Sequence, residues 1–294
     1  MVNRYFSIVV ATLMEIKPLL SCSNILSDTI TTSGIRIIKA NLTNPSYSDN
    51  LSCSDCFEQT PQTLKNSNFS IEFTVIITGI GVINAAHALT VYLESLIDSL
   101  KIDNFNNNNS FLNNNKSLFI IQTGIAGFFK DSGLKIGDIA VAASEVYTHL
   151  DLVELMDNRN NRYLINQHKY YSFDNNIVEK SRLIIEGSIN SFQKKEFACN
   201  VVSGGFVTVS TITSTNKDAD NIFKLFNKPC MESMEGAASA HIAALYNIPF
   251  LEVRAASNVV GIRDKKEWKI PLACERVSFA IKAILVNGTL NLKE

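Results

Sequence analysis

Polar side chains with catalytic potential stand in this chain just past the ends of apolar runs. Glu15 follows the run that begins at Tyr5; Gly124-Ile125-Ala126-Gly127 follows Leu118 to Thr123; Thr211, Thr213 and Ser214 follow a β-rich stretch that begins at Val201. Glu232 and Glu235 precede a helical segment, and Ser257-Asn258 closes the run from Phe250 to Ala255. A carboxylate is acceptor-only, so it can take two donors at once or draw a proton from water, whereas an amide such as that of Asn258 presents both donors and an acceptor. Each residue also has an ordinary structural reading. Glu15 suits a first helical turn, Glu235 a helix cap, and Asn258 a turn after a strand. In open α/β sheets ligands bind beyond the carboxyl ends of the strands. The clustering therefore fits an enzyme pocket, and by position alone it fits many enzymes.

The elements that must hold these residues follow from apolar patterning. Strands are expected over Phe6–Thr12, Phe73–Thr78, Leu118–Thr123, Ile139–Ala143, Val201–Thr211 and Phe250–Ala255, with a bulge or tight turn at Gly204-Gly205. Ile83, Ala86, Leu89, Leu93, Ile97 and Leu100 recur at helical spacing, and further helices are expected near 177–190, 217–227, 235–246 and 271–286. Strands apolar on both faces, alternating with helices, predict a single-domain α/β fold of three layers over residues 1–294, with a central mixed, mostly parallel β-sheet flanked by helices. Two Asn- and Ser-rich stretches, 41–70 and 103–116, read as mobile surface insertions unrelated to the chemistry.

With 46% hydrophobic residues and a net charge of -1, the chain can bury a large core but lacks the basic surplus that nucleic-acid binding needs. No apolar stretch reaches the roughly 18–20 residues of a membrane span. Leu19-Leu20-Ser21-Cys22 looks like a lipoprotein cleavage box, but Glu15 and Lys17 interrupt the run before it, so the segment reads as a strand followed by a helix and the protein as cytoplasmic. The pair Cys53 and Cys56 has no second ligand pair for zinc, and Gly79-Ile80-Gly81 lacks the third glycine of a dinucleotide site. No metal or cofactor is expected.

Five motifs in order narrow the field. Ile77-Thr78-Gly79-Ile80-Gly81, Gln122-Thr123-Gly124-Ile125-Ala126-Gly127, Lys135-Ile136-Gly137-Asp138-Ile139, Met234-Glu235-Gly236-Ala237-Ala238 and Arg254-Ala255-Ala256-Ser257-Asn258 together resemble the signature of the nucleoside phosphorylases and nucleosidases. Within that group, Glu232 to Gly236, Pro249 to Asn258, Arg263-Asp264 and Trp268 look most like the futalosine hydrolase family, as does Gly205-Phe206-Val207-Thr208-Val209. The resemblance implies hydrolysis of futalosine to hypoxanthine and dehypoxanthine futalosine in menaquinone synthesis, by a homo-oligomer.

It also implies roles. Glu15 matches the carboxylate that orients and deprotonates water, and Glu235 the one that accepts from the ribose 2′ and 3′ hydroxyls, with Met234 against the sugar and Gly124 lining the site. Asn258 stands where adenosine-type nucleosidases carry Asp; its amide donors suit the acceptor edge of a 6-oxopurine. Phe206, Val207 and Val209 would form the wall on which the purine stacks, with ordinary core as the equal alternative; Arg254 would brace Glu235, and Ser257 would fix the Asn258 loop. The chain departs from the methylthioadenosine/S-adenosylhomocysteine nucleosidase pattern at Ile125, where those enzymes have Ser. It departs from the phosphorylases at Ala11-Thr12-Leu13-Met14-Glu15, which lacks their phosphate-binding arginine. These two classes are the alternatives, and a non-catalytic nucleoside-binding protein on the same scaffold is a third.

Overall fold

The computed structural model describes residues 4–43, 70–107, 117–149, 170–191 and 198–291. Along the chain run β1 (Arg4–Val10), α1 (Leu13–Leu20), β2 (Asn24–Ile30), β3 (Arg36–Thr43), β4 (Ser70–Ile77), α2 (Val82–Asn107), β5 (Ser117–Phe128) and β6 (Ile139–Tyr147). There follow β7 (Tyr170–Ser172), α3 (Asn175–Asn190), β8 (Val201–Thr208), α4 (Asn216–Leu225), β9 (Met231–Ser233), α5 (Gly236–Leu245), β10 (Phe250–Val259) and α6 (Ile270–Asn291). Of the two expected insertions, residues 41–43 belong to β3, 70 to β4 and 103–107 to α2; the remainder, with Cys53 and Cys56, lies outside the described residues.

The fold is α/β, with the described residues forming one ten-stranded mixed sheet between helices. Parallel β4, β1, β5 and β10 form its centre, with Ile8, Ile121 and Leu251 at 1% exposure or less. β3 and β2 extend the β4 side antiparallel. On the other side the sheet curls back on itself. β10 pairs with both β5 and β6, β6 with β8, β8 with β9, and β9 with β5, which closes a ring of five strands. α1, α3 and α6 pack on one face through Ile16, Leu19, Ile185, Val277 and Ile281; α2 and α5 cover the other through Leu89, Leu93 and Ala243. No helix among the described residues is long and apolar enough to cross a membrane.

Two local outcomes differ from the sequence expectation. β5 does not stop at Gly124 but continues to Phe128, because β10 pairs with it from Ile120 to Phe128. The irregularity foreseen at Gly204-Gly205 lies opposite them, where the β6 register shifts between Ala142 and Ser144; Gly204 itself makes room for Cys230, whose Sγ would sit 2.9 Å from an added Cβ. Ile121→Ala, at the centre of the sheet, is expected to cost about 2–5 kcal/mol in urea unfolding through lost burial and the cavity left behind; a change within error would mean that β5 is not in the core.

Candidate active site

Glu15 sits in the first turn of α1, directly after β1. Its Oε2 accepts from the backbone N–H and the hydroxyl of Thr12, both at 2.8 Å, so it caps the helix that carries it. Its Oε1 crosses to β5 and accepts from Ile125 N–H at 3.0 Å. That reach depends on Gly124, whose φ of +144° disfavours any side chain and where a Cβ would lie 2.5 Å from Glu15 Oε1 and 2.9 Å from Arg254 Nη1. Burial pushes the Glu15 carboxyl above the usual carboxylate range, against the hydrogen bond from Ile125 and the charge of Arg254.

Arg254 projects from β10 and is 1% exposed. Nε donates to Glu252 Oε1 at 2.9 Å, Nη1 and Nη2 each donate to Glu235 Oε2 at 3.3 Å, and Nη1 also reaches Ile125 O at 3.3 Å. Burial works against its charge, but Glu252, Glu235 and Glu15 outweigh that and hold its pKa above the ordinary value. Glu235 is the N-cap residue of α5, and its side chain makes no cap hydrogen bond. Instead Oε1 accepts from Gly81 N–H at 3.0 Å, in the glycine turn after β4 where Gly79 and Gly81 both have positive φ. β4, α5 and β10 thus meet at one carboxylate.

Asn258 lies at the end of β10, after a register shift against β5 that sets Ser257 out of the ladder. Ser257 Oγ lies 2.7 Å from Asn258 Oδ1 and 3.1 Å from Ala126 O. Its single hydrogen, given along the shorter contact, supplies the amide oxygen, and Nδ2, which gives one hydrogen to Val259 O at 3.2 Å, keeps its second.

The apolar wall differs from expectation. Phe206 is fully enclosed among Phe128, Met231 and Ala256, Val207 among Phe129, Val146 and Val260, and Val209 is 2% exposed. These side chains back the end of β8 and present no open face for stacking. Met234, next to Glu235, is half-buried. Sequence reasoning gave no role to Glu252, which anchors Arg254, to Glu145 on β6, or to Glu232, which takes both the N–H and the hydroxyl of Thr213 and so pins the loop after β8. A glutamate inside an apolar strand, as in Ile139–Tyr147 and Phe250–Val259, is the signal that could have flagged the first two. No group of three or more possible metal ligands occurs among the described residues.

Residues 70–286 match the model of the phosphorylase superfamily, and the chain belongs to it. Within that class, 83 residues are 37% identical to the futalosine hydrolase of Acidothermus cellulolyticus, covering 28% of this chain and 34% of that one. The matched stretch thus spans about a third of the length of that curated relative. The 5'-methylthioadenosine/S-adenosylhomocysteine nucleosidase of Geobacillus kaustophilus is 25% identical over 195 residues, 65% of this chain and 68% of that one. The fold is also that of S-adenosylhomocysteine nucleosidase from Streptococcus pyogenes, with a TM-score of 0.67 at 20% identity over 98% of both chains.

Gly124→Ala is expected to cost about 1–3 kcal/mol in stability from backbone strain alone, and to displace Glu15 and Arg254. A crystal structure of the variant with both side chains unmoved would contradict the close approach at Gly124.

Proposed function

We propose that the chain hydrolyses the N-glycosidic bond of a 6-oxopurine nucleoside, with futalosine as substrate and hypoxanthine and dehypoxanthine futalosine as products, a step of menaquinone synthesis. Cleavage passes through a cationic, oxocarbenium-like sugar, which needs a placed nucleophile, held hydroxyls and a stabilised leaving base. In this reading Glu15 deprotonates water beneath the anomeric carbon. Glu235 accepts from the ribose hydroxyls and favours the positive sugar, and Asn258 donates to the departing purine. Met234 lies against the sugar, and Gly124 leaves room for the reacting groups.

The observation that carries the reading is the orientation of the Asn258 amide. Ser257 occupies Oδ1, which leaves a free N–H donor. A 6-oxopurine offers acceptors at its position-7 nitrogen and its 6-oxo group, whereas a 6-amino group would need an acceptor. Water is favoured over phosphate as nucleophile because the guanidinium at this site is bound to Glu252 and Glu235, and an anionic Glu15 repels phosphate. The longer alignment with the methylthioadenosine/S-adenosylhomocysteine nucleosidase favours a second reading, cleavage of a 6-aminopurine nucleoside. Exposed Met14, Ile80 and Ile83, which flank Glu15 and Gly81, support a homo-oligomer in which a neighbour covers that side.

Purified protein is to be incubated with futalosine, inosine, 6-amino-6-deoxyfutalosine and methylthioadenosine, with and without phosphate, and the free base followed by chromatography. Phosphate-independent hypoxanthine release from futalosine is expected. Adenine release would overturn the Asn258 argument, and turnover only with phosphate would overturn hydrolysis. Glu15→Gln should lower kcat by about 10²–10⁴-fold, the usual worth of a placed base. Because burial raises the Glu15 pKa above 4.5, kcat/KM for the wild type should fall as pH drops through that raised value and Glu15 gains its proton. An acid limb at or below the ordinary carboxylate value would exclude Glu15 as the base.

A further inference from the structure

Two carboxyl groups lie behind the site and take no part in the reaction proposed above. Glu145 on β6 and Glu252 on β10 are both fully buried. Glu145 Oε1 accepts from the Thr208 hydroxyl at 2.6 Å, and Glu252 Oε1 accepts from Arg254 Nε at 2.9 Å. The second oxygen of each, Oε2, meets no hydrogen-bond donor among the described residues. These two orphan oxygens converge on one point: a Cβ on Gly236, the first residue of α5, would lie 2.5 Å from Glu252 Oε2 and 2.7 Å from Glu145 Oε2. Two ionised carboxylates so placed in a dry core would repel each other, and two acceptors cannot satisfy one another. One proton removes both problems, because it turns one oxygen into a donor for the other.

We propose that Glu145 and Glu252 share one proton beside Gly236, Glu145 as the acid and Glu252 as the carboxylate, and that this pair positions Arg254 and the start of α5 so that Glu235 can hold the sugar. The positioning role rests on the nucleosidase reading above; the shared proton does not. Glu252 keeps its charge because Arg254 is bound to it, whereas Glu145 has only the neutral Thr208 hydroxyl. Burial raises both groups above the usual carboxylate range, with the charge of Glu252 adding to the rise at Glu145 and Arg254 opposing it at Glu252. Other titratable groups near the pair are Glu235, at the start of α5, Cys230, whose thiol burial pushes up to about 12 and so keeps neutral, and Tyr171, the ladder partner of Glu145 on β7, whose phenol burial also pushes up to about 12 and which hydrogen-bonds His241 of α5 at 3.0 Å.

The hydrogen bonds show what the pair holds. Thr208 Oγ1, which donates to Glu145, also accepts from Ala237 N–H at 2.9 Å, tying the end of β8 to the first turn of α5. Glu252 takes Arg254 by Nε and leaves both Nη atoms for Glu235. Loss of the shared proton would place a second negative charge near Arg254, in competition with Glu235 for the guanidinium.

The test is the melting temperature of wild type and Glu145→Gln from pH 5 to 8, together with kcat and KM of both and of Glu145→Ala on the nucleoside that the wild type cleaves. A carboxyl whose folded-state pKa is raised favours folding below its unfolded value of about 4.5, and that contribution is lost as pH rises toward the folded value. Gln keeps the donor at every pH, its amide facing Glu252 and its carbonyl facing Thr208. The Tm of Glu145→Gln should therefore gain on wild type by about 3 °C per pH unit until the pair titrates. A difference that stays constant with pH would overturn the shared proton, and this readout needs neither substrate nor the alanine variant. For the positioning role, Glu145→Ala should raise KM about tenfold, a typical loss for one hydrogen-bonded support, with a smaller change in kcat, and Glu145→Gln should restore it. An unchanged KM in Glu145→Ala, or a KM as poor in Gln as in Ala, would overturn that role.

Discussion

Arg254 carries a positive charge into a part of the core where Glu15, Glu145, Glu235 and Glu252 converge, and the arrangement of those carboxylates depends on it. A guanidinium suits this place because its planar fork donates in several fixed directions at once. Here Nε is spent on Glu252, both Nη atoms reach Glu235, and Nη1 also reaches Ile125 O. Removal of a buried charge's partner costs roughly 3–5 kcal/mol, because the charge left behind has neither water nor counter-ion. Arg254 therefore ties the stability of this region to its geometry: the contacts that make its burial tolerable are also those that aim Glu235.

The closed half of the sheet makes such convergence possible. β5 and β10 run parallel and side by side as far as Phe128 and Val259, so residues at their ends face the same space. The curl through β6, β8 and β9 returns Glu232 and Ser233 to that space and starts α5 there. Close approach is then a matter of missing side chains. Gly124 lets Glu15 and Arg254 near each other, and Gly236 leaves the volume into which Glu145 and Glu252 turn.

Much of this was legible in the sequence. The central strands β1, β4, β5 and β10 each carry a short apolar run, and α2 repeats apolar residues at helical spacing between two of them, so the α/β fold could be read directly. The β2–β3 pair could not: β2 is exposed along nearly its whole length at the sheet edge, and its residues lack the alternation that burial on one face imposes. β7 and β9 are three residues each, too short for a pattern. Among the candidate site residues, those at strand ends or in glycine motifs (Glu15, Gly124, Glu235, Ser257, Asn258) could be singled out because their positions are topological. Glu145 and Glu252 drew no role from the sequence because their approach to each other is a contact between distant strands. Phe206, Val207 and Val209 could be read equally as a stacking wall or as ordinary core, because burial on the far side of a curled sheet is not written in local sequence.

The central claim, that the groups organised by Arg254 form a site for cleaving a 6-oxopurine nucleoside, is tested most directly by a crystal structure of Glu15→Gln with futalosine or inosine bound. The account predicts both ribose hydroxyls on Glu235, with Arg254 unmoved behind it, the side chain at position 15 below the anomeric carbon, and Asn258 Nδ2 facing the position-7 nitrogen and 6-oxo edge of the base. A nucleoside bound elsewhere, or one whose sugar does not touch Glu235, would contradict it.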